Sequence, residues 1–123
     1  MPAYNFKTQF ADLVARGIKR QTIRPVRKRP TVAGDNIYLY TGMRTKQCRQ
    51  LWPACACKAV VPVLVTPYYV RLYPGTNRFV QHNLGTKALD AFAKRDGFET
   101  GQQLIEFFNK TYGLPFVGEI IYW

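Results

Sequence analysis

The sequence has a single histidine, His82, and three cysteines among 123 residues. One histidine excludes the two-histidine acid–base pair that many ribonucleases use, and the chain contains no H-E-x-x-H motif, no Gly-rich phosphate loop and no Ser-centred elbow. An odd number of cysteines argues against a secreted disulfide framework. We therefore expect free thiols at Cys48, Cys55 and Cys57 and a cytoplasmic location.

Long hydrophobic runs are also missing. The longest apolar run, Ala59 to Val65, is short and is interrupted by Pro62, and residues 1–10 contain no apolar segment of the signal-peptide type. The sequence therefore predicts neither a membrane span nor a signal peptide. The three cysteines and the histidine do not show the usual C-x-x-C zinc spacing, so we expect no metal and no cofactor.

Acidic residues are scarce in the first two thirds of the chain. Residues 1–82 hold 14 lysines and arginines but only two acids, Asp12 and Asp35, and the net charge of the whole chain is +11. Such a one-sided charge favours a polyanionic partner, above all nucleic acid. The alternative is a basic surface that only aids solubility.

The residues that are present predict one α+β domain over residues 1–123. The length and the 47% apolar content are enough for a hydrophobic core. Periodicity and turn residues predict a strand around Phe6, a helix capped by Thr8 and ended by Gly17, a strand over residues 36–41, two strands within residues 58–73, two helices joined near Gly97, and a strand over residues 116–123. Bends at two prolines in residues 58–73 would suit a small closed β-barrel.

Residues 17–24, with the sequence G-I-K-R-Q-T-I-R, concentrate a lysine, a hydroxyl and two arginines. The apolar Ile23 indicates that this segment is anchored in the fold. Pro25 disfavours helical geometry at Arg24, so residues 21–24 are expected to be extended and to lead into a basic loop. Residues 19 and 22 of a regular strand point to opposite faces, so Lys19 can meet Thr22 only from a turn or across a bulge.

The order of helix, G-x-K-x-x-T-I-R, basic loop, Gly34-Asp35 turn and Ile-Tyr-Leu-Tyr strand resembles the ASCH domain family, within the PUA-like folds. The resemblance covers most of the chain, and residues 104–123 look like small ASCH-type proteins of phages and prophages. It implies a small PUA-like β-barrel with flanking helices and a cleft beside the K-x-x-T-I-R segment.

The functions that this resemblance implies are diverse. Many members are regarded as RNA-binding modules, some resemble ribonucleases, and one bacterial branch is an amidohydrolase acting on acetylcytidine. The lysine, threonine and carboxylate of that branch correspond here to Lys19, Thr22 and Asp96. That branch has glutamate at the third position, and a side chain shorter by one methylene could miss its partner by about 1 Å, which costs roughly a hundredfold in rate.

For an enzyme, Thr22 would be the nucleophile, Lys19 its base, and Asp96 a proton shuttle or the group that holds the leaving amine. Lys19 must then be neutral part of the time, and burial beside Arg20 and Arg24 would lower its pKa. The alternative for Thr22 and Arg24 is a structural hydrogen bond.

A binding module needs no adjustment of any pKa, so the sequence favours binding of RNA, other single-stranded nucleic acid or a nucleotide by a monomer. The hydrolase is the second hypothesis, and a phage-encoded inhibitor of a host protein is the third. Tyrosines at positions 68, 69 and 73 could stack on bases, although core packing is the favoured interpretation. The basic residues expected to contact nucleic acid are Lys19, Arg20, Arg24, Arg27, Lys28, Arg29, Arg44 and Lys46.

Overall fold

The computed structural model describes residues 2–73 and 82–123, with the backbone alone at residues 82 and 83. These residues form three helices and eight strands, so the predicted α+β class is confirmed. In chain order they are β1 (Ala3–Phe6), α1 (Thr8–Ala15), β2 (Gln21–Arg24), β3 (Asn36–Thr41), β4 (Arg49–Ala56), β5 (Ala59–Val65), β6 (Val70–Leu72), β7 (His82–Asn83), α2 (Thr86–Arg95), α3 (Gly101–Tyr112) and β8 (Phe116–Tyr122).

The strands are arranged in two sheets. One has the order β1-β3-β4, with β1 parallel to β3, and the other has the order β2-β8-β5-β6-β7 with antiparallel neighbours. Among the described residues, backbone pairing does not close these sheets into a ring, so the closed barrel is not confirmed. Both sheets contribute to one hydrophobic core, with Ile37 and Leu39 from the first sheet and Val63 and Ile120 from the second.

Helix α1 ends in a turn that determines the path of the chain into β2. Gly17 follows the helix with a φ of +73°, which confirms it as the stop, and a Cβ there would lie 3.1 Å from the Trp52 ring. The backbone amides of Ile18 and Lys19 then both donate to the carbonyl of Leu13, at 2.9 and 3.0 Å. Residue 19 is therefore held in a turn before β2 begins.

The N-terminal cap of α1 differs from the prediction. Thr8 is the first helical residue and Lys7 occupies the cap position, without a side-chain cap hydrogen bond. The helix buries Phe10, Ala11 and Val14, and its stability comes from that packed face rather than from a cap.

Strand β4 was not predicted. Its sequence contains Pro53, and its pairing with β3 is interrupted by register shifts on both sides of Leu39, so its side chains do not alternate cleanly between core and solvent. The backbone pairing with β3 nevertheless stabilises it as a strand. No helix in the described part of the chain is long and apolar enough to cross a membrane.

Candidate functional site

A cavity of about 260 Å³ lies between β2, α1, the end of α2 and α3. Four side chains of the predicted site line it: Lys19, Thr22, Arg24 and Asp96. Ile23, the expected anchor, is buried beside them. Residues from opposite ends of the chain therefore surround one small space.

Lys19 can meet Thr22 only if it lies outside the regular strand, and the structure places it there. It lies in the turn before β2 and not within the strand, so it lines the same cavity as Thr22. The residue is only 2% exposed, and its amine lies 5.1 Å from the centre of the Phe10 ring and 5.9 Å from that of Phe6. The amine of Lys19 is therefore buried, unlike that of an ordinary surface lysine.

The partner of Lys19 is Asp96, which caps the C-terminal end of α2 and is 3% exposed. The Lys19 amine donates a hydrogen bond to the Asp96 backbone carbonyl and lies 3.5 Å from its carboxylate Oδ1. This approach requires glycine at position 97. A Cβ there would lie 2.9 Å from the Phe10 ring and 3.3 Å from the Lys19 side chain, and Gly97 has a φ of +99°.

Burial shifts the two pKa values toward each other. Loss of water lowers the pKa of Lys19, with Arg24 lowering it further and Asp96 opposing the change. The same loss of water raises the pKa of Asp96, against the opposing effects of Lys19 and a hydrogen bond from Gln21. A proton therefore costs less to move between this amine and this carboxylate than between the same groups in water.

Thr22 and Arg24 are hydrogen-bonded to each other. The Arg24 Nε donates to Thr22 Oγ1 at 2.9 Å, and a terminal nitrogen of Arg24 donates to the carbonyl of Asn5 at 2.8 Å. The guanidinium also lies 4.9 Å from the centre of the Phe6 ring. A structural hydrogen bond was the alternative for these two residues, and it is present. Because Arg24 is the donor in this hydrogen bond, the Thr22 hydroxyl can still donate its own proton to another group.

No family model, curated protein or solved structure matches this chain.

Aromatic rings form the apolar wall of the cavity, and sequence analysis did not place them there. Ring centres of Phe10, Phe98 and Phe107 lie 5.2 to 5.6 Å apart in edge-on and tilted contacts, and the Lys7 amine lies 4.9 Å from the Phe107 ring centre. The three rings come from separate segments of the chain, so no local spacing indicates that they face one cavity.

The predicted basic residues do not form one continuous cleft. Six of them are exposed and outside the cavity lining: Arg20, Arg27, Lys28, Arg29, Arg44 and Lys46. Residues 27–29 line a separate open depression that also includes Asp35, and Arg20 lines another. These six side chains therefore lie outside the cavity that Lys19 and Arg24 line, and their contact with nucleic acid stays a prediction.

The three tyrosines differ in exposure. Tyr68 is 89% exposed, so core packing is wrong for this residue. Tyr69 and Tyr73 are partly buried, and the Tyr69 ring centre lies 4.9 Å from the Arg71 guanidinium carbon.

The described residues contain no cluster of three or more His, Cys, Asp or Glu side chains that could hold a metal ion. Cys48, Cys55 and Cys57 are free thiols, as predicted. The side chain of His82, the fourth residue considered for zinc, lies outside the described part of the structure.

Proposed function

We propose that the cavity is the active site of a small-molecule amidohydrolase, with Thr22 as nucleophile, Lys19 as its base and Asp96 as the proton shuttle. The observation that carries this proposal is the burial of Lys19 against Asp96 in a cavity that Thr22 also lines. Strongly perturbed acid–base pairs inside a concave site are typical of catalytic centres.

At this cavity, catalysis on a small molecule is favoured over binding of a nucleic-acid strand. A lysine that is 2% exposed cannot reach the phosphates of a nucleic-acid strand that lies on the surface. The volume of about 260 Å³ is just below the range of about 300–1,000 Å³ that is usual for ligand pockets, so it suits a small molecule such as a nucleoside and not a polymer. The aromatic wall supplies flat apolar contacts for a planar ring.

Lys19, Thr22 and Asp96 line the same cavity, and the proposed mechanism gives each of them one role. Thr22 Oγ1 attacks the carbonyl carbon of the amide while neutral Lys19 takes the hydroxyl proton, which yields a tetrahedral intermediate. The hydrogen bond from Arg24 to Oγ1 stabilises negative charge on that oxygen. The Lys19 ammonium passes its proton to Asp96, and the C–N bond breaks as the leaving amine takes that proton from Asp96. Neutral Lys19 then takes a proton from water, which attacks the acyl-threonine ester, and returns it to Thr22 Oγ1 as the carboxylic acid leaves.

The aspartate at position 96 supports this mechanism despite its short side chain. The end of α2 approaches Lys19 closely because residue 97 has no side chain, so both the backbone carbonyl and the carboxylate of Asp96 come near the amine. The backbone position makes up for the missing methylene. We therefore infer that the departure from glutamate does not by itself remove the activity.

The direct test is turnover of N4-acetylcytidine by wild type and by Thr22→Val, Thr22→Ser and Asp96→Asn variants. Valine has nearly the shape of threonine but no hydroxyl, so we expect turnover to fall by roughly a thousandfold or more, whereas serine should retain part of it. Mass spectrometry of quenched reactions should show one acyl group on the peptide containing residue 22. Equal turnover by Thr22→Val and wild type would contradict the assignment.

A second candidate function is the binding of single-stranded nucleic acid, RNA above all, on the outer surface. The exposed side chains of Arg27, Lys28 and Arg29 at an open depression of about 970 Å³ favour it. Such contacts position a phosphate backbone without any buried chemistry. The two functions use different residues, so each can be tested while the other is intact.

The finer fold assignment is part of the same proposal. We infer that the two sheets are the wall of a PUA-like barrel and that the chain is an ASCH-type domain. The shared core of both sheets supports this, as does the position of the K-x-x-T-I-R segment at the edge strand β2 beside a cavity.

A further inference from the structure

Gln21 is the one buried polar side chain of the motif to which the mechanism above gives no role. It is the first residue of β2, its backbone is paired with Tyr122 of β8, and it is 3% exposed. A buried side-chain amide is costly unless its hydrogen-bonding groups find partners. The identity of its partner therefore indicates why glutamine is placed there.

That partner is the candidate proton shuttle. The Gln21 Nε2 donates to Asp96 Oδ1 at 3.3 Å, and the same oxygen lies 3.5 Å from the Lys19 amine. Gln21 precedes Thr22 in the strand, so the two side chains leave opposite faces. Thr22 lines the cavity, whereas Gln21 lines a separate depression with Arg20 and does not line the cavity, so it approaches Asp96 from outside it.

We propose that Gln21 is a positioning residue whose side-chain amide holds the Asp96 carboxylate with Oδ1 toward the Lys19 amine. A short carboxylate at the end of a helix can rotate about two bonds, and one donor on each side of Oδ1 limits that rotation. This inference rests on the proposed function, because it assigns Gln21 to the same acid–base pair.

The hydrogen bond has a second consequence, for the charge of Asp96. A donor to a carboxylate favours its ionised form, so Gln21 opposes the increase in pKa that burial causes. The other groups that face Asp96 are Lys19 from the turn before β2, Arg24 from β2 and Tyr122 from β8. None of them changes when only Gln21 is replaced.

The test compares Gln21→Met, which keeps the length but has no donor, and Gln21→Asn, whose donor is about 1 Å too short to reach. Two quantities are measured: the pH at which the ¹³C signal of the Asp96 carboxyl titrates, and the pH dependence of kcat and KM for N4-acetylcytidine. We expect both variants to titrate Asp96 at higher pH and to move the corresponding limb of the kcat profile the same way. We also expect kcat to fall about ten- to a hundredfold with KM little changed.

The matched control is Thr66→Val, which also removes a buried hydrogen-bonding group. The Thr66 hydroxyl donates to the Tyr69 carbonyl at 3.1 Å in the turn between β5 and β6, away from the cavity. It should change thermal stability and leave both titrations unchanged. The proposal is overturned if Asp96 titrates at the same pH in Gln21→Met and Gln21→Asn as in wild type, and if these variants lose no more kcat than Thr66→Val does.

Failure of this inference can be told apart from failure of the proposed function. If wild type does not turn over the substrate, the amidohydrolase assignment is wrong, but the titration of Asp96 still decides whether Gln21 controls its ionisation. If wild type turns over and the titration does not move, only the role of Gln21 is wrong.

Discussion

Lys19 and Lys28 belong to the same basic segment, yet the structure places them in opposite environments. Lys19 is 2% exposed and meets Asp96, whereas Lys28 is exposed beside Arg27 and Arg29 at an open depression. A charged side chain in water keeps its hydration, so its free-energy cost is small. A buried amine has lost that hydration, so its charge depends on the groups that contact it. The comparison shows that one run of basic residues can supply both a buried amine paired with a carboxylate and an exposed cationic surface.

The largest effect that separates the two regions is expected from Lys19→Met compared with Lys28→Met. Removing Lys19 leaves the Asp96 carboxylate buried without its cation, so the free energy of unfolding at neutral pH should fall by about 3–5 kcal/mol. Lys28→Met should change it by less than about 0.5 kcal/mol. Chemical denaturation of both variants measures the difference, and similar values would remove the distinction between the two environments.

The pH dependence of the Lys19→Met variant sharpens the same comparison. Burial raises the pKa of Asp96, and loss of the lysine removes an opposing effect. The folded variant then binds more protons than its unfolded chain between the ordinary carboxyl pKa and the raised one. Its stability should therefore increase as the pH falls through that window, so its deficit relative to wild type shrinks in acid.

An intermediate effect is expected from Gly97→Ala compared with Gly34→Ala. Both glycines have positive φ, +99° and +95°, so alanine is strained at each by about 1 kcal/mol or more. At Gly97 the new Cβ also meets the Phe10 ring and the Lys19 side chain, whereas at Gly34 nothing lies within 4 Å. We expect Gly97→Ala to lose about 2–4 kcal/mol in total and also its turnover.

The control here is the activity of Gly34→Ala. It should keep wild-type turnover at temperatures where it is folded, because its strain lies in the turn before β3 and far from the cavity. Equal losses of stability and turnover in the two alanine variants would mean that the close approach of the α2 end to Lys19 is not needed.

The smallest effect is expected on the exposed side of the comparison. Replacing Arg27, Lys28 and Arg29 together with glutamine should weaken single-stranded RNA binding and reduce the slope of log K against log salt by about 0.7 for each phosphate that these side chains neutralise. Turnover of a neutral nucleoside should not change. Fluorescence anisotropy across a salt series measures the slope. Unchanged binding would contradict a nucleic-acid function for this surface. A protein partner would then be the hypothesis that remains for it.

Local elements were predicted well where a local rule decides them. Gly17 ends α1, and β3 covers the predicted residues 36–41, because positive φ at glycine and the alternation of side chains are local properties. Strand β4 was missed because its pairing with β3, and not its own pattern, makes it a strand. The aromatic wall of the cavity was missed for the same reason, since contacts between separate segments form it.

The candidate site divides in the same way. Lys19, Thr22 and Arg24 were found because they lie within one short segment, and Asp96 was found only through a family resemblance. Gln21 was not singled out, since glutamine at the start of a predicted strand gives no sign of its partner. Its hydrogen bond joins residues that are 75 positions apart in the chain.

The sequence by itself determined the α+β class, the end of α1 at Gly17 and the excess of positive charge in residues 1–82. Only the tertiary structure decided which of those charges are buried. Lys19 is a site residue because the end of α2, 77 residues away, packs close enough to exclude water from its amine. Burial depends on contacts between distant segments, and no local pattern encodes it.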